Sequence, residues 1–164
     1  MAIPTINRAE FFERLFAVER AAAGMFARLA GRLERLPVLA GLVHGLEQDE
    51  WTHLEMLVHF RDALPAALLA GSCDAASVRQ LDRVEGLLEG DPVARFADFD
   101  EAYQFIHEFE NNDLVPLLHL LDGECRTERL DCSSIMLIVE QHLERLDSLA
   151  DSAGDREHRR AIRL

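Results

Sequence analysis

Lysine is missing altogether: the 17 basic residues of this 164-residue chain are all arginine. That absence excludes Schiff-base chemistry and the lysine that grips phosphate in nucleotide-binding loops. Cysteine is scarce. Cys73, Cys125 and Cys132 are odd in number and no CxxC pair occurs, so neither a disulfide framework nor a cysteine-built zinc or iron knuckle is expected, and a reducing cytoplasm fits best. No run approaches the roughly 20 apolar residues of a membrane span; the longest, Ala63 to Gly71, contains Pro65. Arg8 and Glu10 interrupt the start before a signal-peptide core could form. Positive charge is short as well, with 30 acidic against 17 basic residues and a net charge of -13, which opposes binding to a nucleic-acid backbone.

What the chain does have is apolar residues, 49% of the total, at helical spacing over four long segments, and no sustained alternation of period two. An all-α fold follows. The first segment runs from about Asn7 to Leu36, with Asn7 and Glu10 in capping-box spacing, and carries Phe12, Leu15, Glu19, Ala22, Phe26, Leu29 and Leu33 on its inward stripe. The second, about Val38 to Leu69, carries Leu42, Leu46, Glu50, His53, Leu57 and Phe60, with Pro65 marking a kink or an early end. Some 30 residues with one short helical pattern, Ser77 to Leu88, suit a crossover along the side of a bundle. The third segment, about Asp98 to Leu121, presents Tyr103, Ile106, Glu110 and Asp113 and is disturbed by Pro116. The fourth, about Ser133 to Ser152, presents Ile135, Val139, His142, Leu146 and Leu149. The expected organisation is therefore an up-down four-helix bundle over residues 1–152, a long crossover between helices 2 and 3, and an Arg-rich tail over 153–164 that is frayed or forms a short extra helix.

Each stripe places a metal-competent polar side chain where the period calls for an apolar one: Glu19; Glu50 and His53; Glu110 and Asp113; His142. One such intrusion is usually a boundary residue reaching solvent. Three or four converging carboxylates in a core are different, because their mutual repulsion and lost hydration require a cation. Glu50 and His53, at i and i+3, project from one helix face and offer a metal one oxygen and one nitrogen.

These residues carry a resemblance. Ala17-Val18-Glu19 followed by Ala22 and Phe26, Asp49-Glu50-Trp51-Thr52-His53 followed by Leu57, Ala102-Tyr103 leading to Phe109-Glu110, and His142 followed by Leu146 together resemble a ferritin-like di-iron carboxylate protein of the rubrerythrin type. The resemblance spans about Asn7 to Leu149. It implies iron at one or two ions per chain, with the oxygen and imidazole donors suiting manganese or zinc as well. It also implies reduction of peroxide or dioxygen, a homodimer, and Asp113 at the position of a glutamate that can change its ligation. With no CxxC motif there is no rubredoxin domain, so electrons would come from a separate partner protein. One departure is specific: three residues before His142, where the family has a bridging glutamate, stands Val139. Recruiting Glu140 instead would turn His142 away, so Glu140 is expected at the surface. The expectation is a tight site on Glu19, Glu50 and His53, and a second, labile or absent, on Glu110, His142 and Asp113. The other reading is a non-catalytic metal-binding or structural bundle that lost turnover with that carboxylate. Nothing in the sequence signals assembly into a storage cage.

Overall fold

The computed structural model describes residues 6–114 and 133–164. Among them the chain is helical almost throughout, with no β-strand beyond two isolated bridges. The elements in order are α1 (Arg8–Arg32), α2 (Pro37–Ala63), α3 (Ala66–Leu69), α4 (Ala75–Leu88), α5 (Pro92–Arg95), α6 (Phe99–His107), a π-helical segment π1 (Glu108–Leu114), α7 (Ser133–Ala153) and α8 (Arg156–Ala161). None of the described helices is long and apolar enough to cross a membrane.

Local chemistry sets the boundaries. Asn7 caps α1 by accepting a hydrogen bond from the backbone N–H of Glu10 at 2.8 Å, and Asp98 does the same for α6 through Glu101 at 3.1 Å. Pro37 occupies the first turn of α2, where a missing N–H costs nothing, and Pro65 ends the helical run, so the segment expected to reach Leu69 divides into α2 and the single turn α3. Gly154 follows α7 with φ of 73°, the left-handed conformation that glycine adopts without strain, and turns the chain into α8.

The short link between α1 and α2 folds them into a hairpin. Phe12 meets Phe60 at one end and Glu19 meets His53 further along, so the two helices run in opposite directions. α2 packs in turn against α7, and α1 also receives α4, α5 and α3. With neighbours on several sides, α1 buries far more than a single stripe: Phe11, Phe16, Val18, Ala23, Met25 and Ala30 join the seven expected positions in the core. The link from Leu64 to Asp98 follows α1, pinned by Arg14, whose guanidinium donates to Glu85 at 2.9 and 2.6 Å and to Asp82 at 2.5 Å. Arg32 closes the far end by donating to the carbonyls of Val93 and Phe96.

Two features depart from the sequence reading. The third long helix is not uniformly α-helical: it changes to π at Glu108, widening the backbone where Phe109 and Glu110 are both buried. Trp51, a large aromatic that hydrophobicity alone would bury, lies with nearly half its surface in solvent because it directly follows the inward Glu50. Pro116 lies outside the described residues. The tail forms α8, anchored on Asp100, which accepts from Arg156 at 3.1 Å and Arg159 at 3.0 Å, with Arg160 3.5 Å away.

Candidate metal centre

Glu19 from α1, Glu50 and His53 from α2, Glu110 from π1 and His142 from α7 lie together in the interior, none more than 2% exposed. Helical periodicity puts them there: Leu15 and Ala22 flank Glu19, Leu46 and Leu57 flank Glu50 and His53, and Leu146 and Leu149 continue the face of His142, all buried. Glu140 is exposed while His142 is buried, as expected from the register in which Val139, not Glu140, precedes the histidine by three. The side chains of Asp113 and Val139 lie outside the described residues.

The distances define a layout centred on Glu50. Its Oε2 is 3.6 Å from Nδ1 of His53, and its Oε1 is 3.7 Å from Nε2 of His142. Beyond His53 lies Oε2 of Glu19, 3.5 Å from the same Nδ1; beyond His142 lies Oε2 of Glu110, 3.0 Å from Nε2. The two imidazole rings are 5.1 Å apart. One ligand atom from each of Glu50, His53 and His142 lies within 4.8 Å of the other two, a spacing that could hold a single ion. The two oxygens of Glu50 thus face different histidines, each backed by a further carboxylate.

Electrostatics make this arrangement unstable as a plain core. Burial, with Glu110 and Glu19 adding repulsion, drives the Glu50 carboxyl well above its ordinary pKa. Burial alone would depress His53, but the facing Glu50 and Glu19 outweigh it and raise the imidazole to about 10. His142 is likewise raised well above its ordinary value against the pull of burial, by Glu110, Asp49 and Glu50. Yet none of the ten polar side-chain atoms on these five residues has a hydrogen-bond partner among the described residues. Even the 3.0 Å contact of His142 with Glu110 lacks the alignment of a hydrogen bond. Buried polar groups in native proteins are almost always satisfied, so ten orphans in one place are unfavourable without something between them. A divalent cation answers the inward-facing ones: it accepts lone pairs from carboxylates and from one nitrogen of each imidazole, and it cancels the carboxylate repulsion. The donor set, three carboxylates and two imidazoles, fits such ions.

Asp49 was quoted in the sequence only as part of a motif, and its role is visible only in three dimensions. Its Oδ2 is 3.4 Å from Nδ1 of His142, and it accepts from Arg145 at 2.7 and 3.2 Å. Burial would raise its carboxyl, but His142 and Arg145 hold it below the usual carboxylate range. The spacing of Arg145 three residues after His142 was the one signal available. His107, a candidate outer partner of Glu110, is exposed and stands beside the Tyr103 ring at 6.2 Å. His44 is also at the surface, paired with Glu47 at 2.9 Å.

Comparison with protein-family models, curated proteins and solved structures gave no match.

Proposed function

We propose that this chain is a ferritin-like metal-binding protein in which α1, α2, α6 with π1, and α7 form a four-helix bundle around one or two divalent ions, iron foremost. The observation that carries this reading is the set of ten unpartnered polar atoms on Glu19, Glu50, His53, Glu110 and His142. Glu19, His53 and Oε2 of Glu50 would hold one ion, and Glu110, His142 and Oε1 of Glu50 the other, with Glu50 common to both. Bound iron would supply the electrons for reducing peroxide or dioxygen, as the rubrerythrin resemblance implies. The protein's own contribution is to fix five donors from four segments and to exclude bulk water from them. Electrons for repeated turnover would come from a separate donor protein. The test is metal analysis of the purified protein, then anaerobic loading with ferrous iron and a peroxide challenge. At least about one ion per chain and consumption of peroxide are expected; a protein that takes up no metal would defeat the proposal.

A second reading is a metal-binding bundle without turnover. Val139 favours it, because two divalent ions carry four positive charges and the described cluster offers three carboxylates. Metal uptake without peroxide loss would select this reading.

A further inference from the structure

His142 differs from His53 in how its ring is used. His53 turns Nδ1 toward the shared carboxylates, whereas His142 turns Nε2 toward Glu110 and Glu50 and leaves Nδ1 on the opposite edge. The carboxylate facing that Nδ1 is Asp49, and Asp49 is in turn fixed by both its oxygens to the guanidinium of Arg145, one turn further along α7. A planar guanidinium holding a carboxylate through two bonds restrains its orientation as well as its position. The guanidinium packs over residue 45, which is glycine: a Cβ there would come within 2.5 Å of Nη1, 2.9 Å of Cδ and 3.0 Å of Cζ of Arg145, so any larger residue would require the arginine to shift. Gly45 lies in the body of α2, where glycine costs about 1 kcal/mol relative to alanine. The cost is explained by the slot it leaves.

We propose that Arg145, seated in the slot at Gly45, is a positioning residue that acts through Asp49 to present Nε2 of His142 to a metal ion. This rests on the metal reading above. Asp49 faces Nδ1 of His142 at 3.4 Å and would accept a hydrogen bond from its N–H once that contact tightens, which leaves the lone pair on Nε2, the nitrogen that faces Glu110 and Glu50. Outer partners of this kind set the tautomer and basicity of a ligating histidine. Among the described residues His53 shows no such chain: the groups facing its Nδ1 are themselves proposed ligands, and its Nε2 has no hydrogen-bond partner. The reinforcement therefore falls on the half that carries Val139 in place of a carboxylate, and it offsets the weakness expected there from sequence.

The test is zinc titration of the metal-free protein, read by calorimetry and by ¹⁵N spectra that resolve the ring nitrogens of His142 from those of His53. In the parent, zinc should bind His142 through Nε2. Arg145→Gln and Gly45→Ala should each weaken coordination at His142 by about 10- to 100-fold while leaving His53 within about twofold, and Arg145→Lys should recover part of the loss. Thermal melts verify that each variant folds. Unchanged zinc coordination at His142 in both Arg145→Gln and Gly45→Ala, binding through Nδ1 in the parent, or equal weakening at the two histidines would overturn the proposal while leaving the metal reading intact. A parent that binds no zinc overturns both.

Discussion

Glu50 is the residue on which the site turns, since its two oxygens face the two histidines and burial beside two further carboxylates penalises its charge. An ordinary glutamate loses nothing by ionising at neutral pH. Here the folded-state pKa is raised, so the metal-free fold is destabilised as pH climbs above the usual carboxylate value, and Glu50→Gln should relieve that penalty. The expected result is a metal-free variant more stable than the parent by about 1–2 kcal/mol, with metal uptake abolished, read from melts with and without chelator. His53 has the opposite sign. Its pKa of about 10 means that the imidazole is protonated at neutral pH in the metal-free protein, contributing stability that is complete below the unfolded pKa near 6.5 and lost as pH rises through about 10. Metal must displace that proton. Uptake of metal should therefore release protons and tighten as pH rises toward about 10, measured by calorimetry in buffers of different ionisation enthalpy.

At the scale of elements, periodicity and capping made the helices legible. Asn7, Pro37, Pro65 and Asp98 all mark boundaries that depend on the backbone of neighbouring residues, and such signals are local. The change to π at Glu108 was not legible, because Glu108 to Leu114 contains no glycine or proline to mark a break in the α-helical bonding. The burial of α1 on several sides was likewise hidden: Phe11, Phe16 and Met25 fall off the main stripe, and their burial depends on where α3, α4 and α5 return. Glu19, Glu50, His53, Glu110 and His142 were legible as intrusions on apolar faces. Asp49 was not, since an acidic residue at the edge of a stripe looks like any surface carboxylate until Arg145 is placed across from it. The largest side chains of α1 supply a direct check on packing. Phe26→Ala, at a fully buried position on the stripe of Glu19, should cost about 3–5 kcal/mol in denaturant unfolding. At the position where the resemblance breaks, Val139→Glu should raise the number of ions bound per chain, read by metal analysis; an unchanged stoichiometry would refute the assignment of that position to a missing ligand.

For the whole molecule, the end of the chain is tied back to its middle. Asp100 is buried beside Arg156, Arg159 and Arg160, while Phe99 donates to the carbonyl of Ile162 and Leu164 donates to that of Ala97. Burial alone would raise the Asp100 carboxyl, but Arg159 and Arg156 depress it. A depressed pKa contributes stability above the unfolded value near 4 and loses it as pH falls through the folded one, so α8 should hold at neutral pH and loosen in acid. Asp100→Asn should release it at neutral pH, at a cost of about 2 kcal/mol, with faster hydrogen exchange at the amides of Phe99 and Leu164. The ligands are spread along the same chain in a particular order. Glu19, Glu50 and His53 emerge first in synthesis on one hairpin, whereas Glu110 and then His142 follow. A ribosome-bound chain would thus expose three of the proposed donors before the other two exist, and metal held at that stage would be bound by an incomplete set.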